Sequence, residues 1–317
     1  MFAGLALLLM IGLSAPLHVT PQTGAVAKRF DAHPVTWKRL LYRANHIFGN
    51  LTTEVQLDYL PTRLIGDLLI KTSQGEPIQP VGRHIGSITV RSVINTLVGS
   101  NSEIVSDSLF NLNDASALRR IRQLKGKEFW QKTYRFTRGG VYRLRKRPNG
   151  PDEADQGMAH WTDIKESFYP YGSTSHGCLQ VVEPSTLLYI FSSVDFSAEG
   201  DTLNLCVFNK KQVHDVHVRK HGHQRQTMSY EEILPQNNVI KNAAKIETLK
   251  ISMTSRPLVG ETEAAETFSF LGLKGDIEFL IDPASRNPVQ ISGRIPYVGR
   301  LDFKLEKVWL RSVGPRS

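Results

Sequence analysis

The chain has 317 residues, 40% of them hydrophobic and 22% charged, with Gly and Pro spread along it. That composition excludes a disordered or low-complexity protein and leaves room for one large domain or two small ones. The formal net charge is +9, and residues 1–27 carry none of it, so the basic excess belongs to the rest of the chain. No repeat of fixed period appears, which excludes a solenoid or a propeller.

Residues Phe2 to Leu17, FAGLALLLMIGLSAPL, are almost wholly apolar, but too short and, at Pro16, too broken for a membrane span. They read as the apolar region of a secretory leader. Ala25 and Ala27 stand at the spacing of an A-x-A cleavage site, so the mature chain is expected to start at Lys28. No Lys or Arg precedes the apolar run; the alternative is a leader retained as an anchor. Export disfavours nucleic acid as a partner. It also makes a single disulfide the plain expectation for the two cysteines, Cys178 and Cys206.

Residues 28–50 are expected to form a leading helix and linker, because Trp37, Leu40, Leu41, Ala44 and Phe48 share a helical face in VTWKRLLYRANHIFGN. From Leu51 the pattern turns to short β-prone runs such as TEVQLDYL and GSITVRSVI. DASALRRIRQL reads as a second short helix, with Asp114 as cap and Leu118, Ile121 and Leu124 spaced by three. EFWQKTYRFTRGGVYRLRKR is the clearest hairpin: Gly139 and Gly140 form the turn, Trp130, Tyr134 and Phe136 share one face, and Tyr142 and Leu144 are expected to return on it. RPNGPDEADQGM is a loop by composition, and its acids Asp152, Glu153 and Asp155 read as solvated. EPSTLLYIFSSV is a short helix with Pro184 in its first turn. The last third alternates in DTLNLCVF, KQVHDVHV, GDIEFLI, VQISGRIPYVG and LDFKLEKVWL, separated by turns such as DPASRNP. The sum is a mainly β protein, an antiparallel β-barrel or half-barrel with a few short helices, as a single domain over residues 51–311 with a tail at 312–317.

Four groups of residues are candidates for chemistry. The aromatic face of Trp130, Tyr134, Phe136 and Tyr142 could line a barrel interior and accept a lipid or another apolar envelope molecule. The basic run from Arg119 to Arg147 sets twelve cations against Glu128. Through Arg119, Arg122, Arg143 and Arg145 it could meet an anionic membrane surface. In VHDVHVRKHGH, His214 and His217 would point to opposite faces of a strand while His221 and His223 lie in a turn, so no metal site is expected, nor any bound cofactor. Finally, STSHGCLQ places His176 two residues before Cys178, an arrangement that favours a reactive thiolate.

Two resemblances bear on these residues. The order of STLLYIFSSVDFSAEGDTLNLCVFNKKQVHDVHV and DIEFLIDPASRNPVQISGRIPYVGRLDFKL, over roughly residues 100–311, resembles a family of proteobacterial periplasmic proteins of unknown function. That likeness implies a lipocalin-like or half-barrel β-fold and a periplasmic location, with no established activity. The segment around Cys178 is similar to the signature of L,D-transpeptidases, in which a His precedes Ser/Thr-His-Gly-Cys by about 14 to 17 residues; here His160 is followed by 14 residues and then Ser175. That likeness implies Cys178 as nucleophile, His176 as base and His160 as a second pocket histidine. Gln180 and Trp161 depart from the Arg and Gly usual in those enzymes, and 139 residues follow the Cys where the enzyme domain normally ends.

Overall fold

The computed structural model describes residue 30 and residues 33–46, 49–96, 101–126, 128–172, 178, 180–196, 198–258, 267–296 and 298–312. The expected leader lies outside the described residues. Fifteen strands follow one another: β1 (Trp37–His46), β2 (Gly49–Pro61), β3 (His84–Thr96), β4 (Ser102–Asn111), β5 (Ala117–Lys125), β6 (Trp130–Phe136), β7 (Gly140–Arg147), β8 (Asp163–Pro170), β9 (Val181–Val182), β10 (Thr202–Asn209), β11 (Gln212–Ile233), β12 (Val239–Pro257), β13 (Lys274–Ile281), β14 (Pro288–Ile295) and β15 (Gly299–Leu310). Two short helices, α1 (Pro151–Gln156) and α2 (Leu187–Ser193), interrupt them.

All fifteen strands belong to one sheet. It runs as two meanders, β1 to β8 and β15 back to β9, joined where β1 pairs with β15. The long strand β11 bends so that Glu231–Ile233 also pairs, in parallel, with Lys307–Trp309 of β15. Strands β11 to β15 therefore close into a ring, while β1 to β8 curl as an open half-barrel. The alternation read in the last third is the reason for the ring: Ile277, Phe279, Ile291, Phe303 and Leu305 fall on one face and join a common buried cluster. The far ends of the sheet meet through side chains. Phe208 of β10 stacks edge-on against Phe136 and tilts against Tyr169 at 6.0 Å, so an aromatic seam closes what hydrogen bonds do not.

The helix α2 lies inside this shell, entered through a 3-10 turn at Pro184–Thr186, and each of its residues is buried. A helix apolar around its whole circumference must be surrounded on all sides. Its polar groups are answered internally. Trp37 Nε1 donates to Ser192 Oγ at 2.9 Å, Tyr189 Oη donates to the Leu112 carbonyl, and Ser192 and Ser193 donate to the preceding turn. The carbonyls at its C-terminal end receive the guanidinium of Arg286, Nε to Ser192 O at 2.9 Å and an Nη to Val194 O. The DPASRNP turn thus has a structural task. The Asp282 carboxylate accepts from Ala284 N and Ser285 Oγ, and Arg286, at φ 58°, is presented to a helix end that carries orphan carbonyls.

Several sequence expectations are corrected. Residues 37–46 form strand β1 rather than a leading helix. A register shift between Trp37 and Arg39 against β15 inserts Lys38 as an extra residue, so Trp37 and Leu40, three apart, both face inward. The DASALRRIRQL segment is β5. A second shift at Phe110/Ala117 turns Leu118 to the opposite side, where it packs with Ile65, Ile85 and Leu109 beneath the connection between β2 and β3. His221 to His223 lie within β11, at its irregularity, and not in a turn. The acidic loop holds α1, where Glu153 accepts from Asn149 N, Thr162 N and Thr162 Oγ1, which holds its carboxyl below the usual range.

Candidate functional site

The β6–β7 register places Tyr134 opposite Arg143 and Tyr142 opposite Arg135. Trp130, Tyr134 and Phe136 therefore share the inner face as expected, but Tyr142 does not join them. The two glycines of the turn do not return the strand on the expected parity, and Tyr142 sits on the outer face, opposite Phe168. Tyr134 and Phe136 are already enclosed by Phe208, Val181 and Val213. They form the seam and not a hollow.

The same alternation turns half of the basic run inward. Cross-strand partners form a row through Ser106 of β4, Arg122 of β5, Lys132 of β6, Arg145 of β7 and Lys165 of β8. The row beside it holds Ser108, Arg120, Tyr134, Arg143 and Ser167. Arg119 and Arg135, by parity, face outward. Arg119 is buried there, paired with Asp107 and donating to Leu68 O, and burial lowers its pKa to about 10. The four arginines considered for a membrane surface thus divide, with Arg122, Arg143 and Arg145 inside and Arg119 outside.

On β5 to β8 the inner face carries one carboxylate among the described residues, Asp163, which lies 3.1 Å from Arg145 and also pairs with Arg147. A second acid comes from the start of the buried helix. Glu183 is fully buried and lies 2.9 Å from Arg120, whose Nε also donates to Ser106 Oγ. The Glu183 carboxylate accepts from Ser185 N and Ser185 Oγ as the cap of the 3-10 turn. Arg120 is thereby anchored. The Arg122 Nε, like those of Arg143 and Arg145, is buried without a hydrogen-bond partner among the described residues, and its guanidinium lies 5.6 Å from the Trp130 ring, which also receives Lys132 at 4.1 Å. Burial and then Arg120 pull the Arg122 pKa down to about 10, so it stays a cation at neutral pH.

Arg120 and Arg122 form one wall of a cavity of about 310 Å³. The same sheet face continues as an apolar wall through Ile104, Val90, Ile94 and Leu51, and Phe270 and Ile295 close the ring side. This is an amphipathic enclosure near the lower bound of ligand cavities, ~300–1,000 Å³. A second hollow, of about 440 Å³, lies beside Cys178 and Tyr171.

Cys178 is bonded to Cys206, with Cα atoms 5.8 Å apart, which fastens the connection before β9 to β10. In this state Cys178 has no thiol to ionise. His160 is exposed in the turn Met158–His160, and His176 lies outside the described residues, so no constellation of the three is seen. The histidines of β11 are engaged separately: His217 Nδ1 lies 2.8 Å from Asn204 Oδ1, and His221 Nε2 lies 2.7 Å from Ser252 Oγ. Sequence reasoning missed Glu183 and Lys165. An acid directly before Pro-Ser-Thr is a helix-start signal, and the apolarity of the following turn was the sign that its charge would be buried and need a cation.

No family model matches the chain, and no curated protein matches it. Among solved structures, the beta-barrel-like protein of domain of unknown function DUF1849 from Brucella abortus aligns over 89% of this chain and 100% of its own, at 7% identity and a TM-score of 0.45.

Proposed function

We propose that the protein is an exported, non-enzymatic binder of an amphipathic molecule of the cell envelope, whose apolar part enters the cavity between β2–β5 and the ring. The observation that carries this reading is the cavity itself, about 310 Å³ lined by Val90, Ile94 and Ile104 beside Arg120 and Arg122. Export is supported by the apolar N-terminal run and by the Cys178–Cys206 disulfide, which persists in oxidising compartments. A lipid drawn from an anionic membrane surface fits the net charge and the inward arginines better than an apolar molecule without a head.

The test is native mass spectrometry of protein purified from the periplasm without detergent, together with uptake of the apolar fluorophore N-phenyl-1-naphthylamine. A lipid adduct and saturable uptake, both lost in a cavity-filling Ile104→Trp variant that still melts cooperatively, are the expected results. An adduct-free protein that takes up no fluorophore would overturn the reading.

A further inference from the structure

Eight large apolar side chains are exposed among the described residues, and six of them, Tyr59, Leu64, Leu68, Val81, Val239 and Ile240, lie at one end of the barrel. The strand pairings define that end. Pro61 at the close of β2 pairs with His84 at the start of β3, and the connection between them carries Leu64, Leu68 and Val81. The Val81 N–H donates to Asn111 Oδ1 at the close of β4. The tip of the β11–β12 hairpin, where Val239 stands opposite Ile233, reaches the same end because Ile233 pairs with Trp309, beside the Trp37 and Leu310 pair that opens β1. A groove of about 770 Å³ runs between Tyr59 and this tip, lined by Val35, Ile233, Leu234 and Trp309. The other two exposed side chains, Phe129 and Ile164, are at the opposite end. Singly exposed apolar residues are ordinary on a protein surface. Their segregation to one end marks a contact surface.

We propose that this end docks on a lipid bilayer with anionic head groups, with the β2–β3 connection and the β11–β12 tip entering its interface. Two observations choose a bilayer over a protein partner or a second copy. The first is where the chain before Phe30 joins the barrel. Phe30 is buried in the core at this end, its N–H donates to Asn113 O, and the His33 N–H donates to Ser193 O. The apolar run Phe2–Leu17 ends 13 residues before Phe30, a reach of at most ~45 Å. A run of this kind enters a membrane during export or as an anchor, so this is the end that meets the membrane. The second is charge. On the two projections the exposed cations Arg63, Lys71, Arg83 and Lys241 stand against Asp67 and Glu76, an excess that an anionic surface attracts. Tyr59 and Trp309 behind the aliphatic tips are residue types enriched at membrane interfaces. The cavity lies toward the other end, with Leu51 and Ile104 near the starts of β2 and β4 and Ile94 and Ile295 near the ends of β3 and β14. A protein docked this way turns its cavity from the bilayer it stands on, so docking does not rest on the cavity reading.

The experiment is co-flotation of the protein, purified from the periplasm without detergent, with vesicles of phosphatidylcholine alone and of phosphatidylcholine and phosphatidylglycerol in equal parts. Binding is expected to both, tighter to the mixed vesicles by on the order of tenfold, with that gain lost in high salt. Leu64→Ser with Leu68→Ser, and separately Val239→Ser with Ile240→Ser, should each weaken binding about tenfold while the protein still melts cooperatively. Arg63→Gln with Lys71→Gln should remove most of the gain from phosphatidylglycerol. Ile164→Ser, exposed at the opposite end, should change nothing, and the cavity-filling Ile104→Trp should float as the wild type does. Absence of flotation overturns the proposal. So does flotation undiminished in both paired apolar variants, or weakened as much by Ile164→Ser. Equal binding to the two vesicle types overturns the anionic surface as the partner. A dimer in sedimentation velocity that Leu64→Ser with Leu68→Ser dissociates overturns the bilayer in favour of a second copy. Failure of fluorophore uptake in the earlier test, with flotation as expected, would remove the cavity reading and leave docking in place.

Discussion

Replacing Glu183 by Gln separates what the buried pair does for the fold from what it does for the basic face. Gln preserves the volume, and its Oε1 can still accept from Ser185 N, now at 2.9 Å. What disappears is the negative charge 2.9 Å from Arg120. Removing one partner of a buried ion pair costs ~3–5 kcal/mol, because the other charge is left uncompensated. Arg120 keeps its bond to Ser106 Oγ, which places this case near the lower end, at ~3 kcal/mol. Against a total stability of ~5–15 kcal/mol that is a large loss. Equilibrium urea unfolding followed by tryptophan fluorescence should show the midpoint fall by about 1 M with little change in slope, given slopes near 3 kcal/mol/M for a chain of this size. The same variant adds one positive charge to the inner face, so its affinity for an anionic lipid should rise severalfold while its stability drops. Opposite signs from one substitution are hard to obtain from general damage. A midpoint shift worth less than ~1 kcal/mol would refute the pair as described.

Three further outcomes follow from the geometry. Cys206→Ser should lower stability by ~3.6 kcal/mol, the chain-entropy value for a cross-link closing about 29 residues, and dithiothreitol should produce the same urea-midpoint shift in the wild type. Arg286→Ala leaves the carbonyls of Ser192 and Val194 buried without their donor, an expected cost of ~3 kcal/mol in the same assay, and Arg286→Lys should recover less than half because an ammonium cannot span both acceptors. Burial pushes the Glu278 carboxyl up, but Lys250 at 2.5 Å and Arg300 at 2.6 Å outweigh it and hold it below the usual carboxylate range. A depressed carboxyl contributes stability above its unfolded pKa and loses it as pH falls through the folded value. Unfolding midpoints measured from pH 7 down to pH 3 should therefore fall less steeply in Glu278→Gln than in the wild type.

Strands β10 and β15 of the last third were legible because Leu203, Leu205 and Val207 on the first, and Leu301, Phe303 and Leu305 on the second, are buried at period two. The β6–β7 hairpin was legible for the same reason, aided by its Gly-Gly turn. The two failures, β1 and β5, share a cause. Each contains an irregularity that skips one residue, at Lys38 in β1 and at Leu118 in β5. A single skip converts a spacing of two into a spacing of three, and a spacing of three in apolar residues is what a helix shows. Tyr142 was assigned to the wrong face by the complementary error, since a hairpin's parity depends on how many residues its turn consumes, and the register here puts Tyr142 opposite Arg135.

The site was hidden by an assumption about sides. In RRIRQ and in VYRLRKR, alternation marks two faces clearly, but period alone does not say which face is inside. The usual rule sends charge outward and apolar residues inward, and here both faces of β5 break it. Arg119 is buried on the outside beneath the β2–β3 connection, and Arg122 is enclosed on the inside against Trp130. Neither burial is dictated by β5 itself. The outer one needs Leu68 and Asp107, and the inner one needs a helix that starts some 60 residues later with Glu183. Charge in the interior of a barrel is stabilised only by groups brought from elsewhere in the chain or by a ligand. Here the chain supplies Glu183 for Arg120 and Asp163 for Arg145, and the arginines that line the apolar cavity are what tie a surplus of charge on β5 to the proposal about what the protein binds.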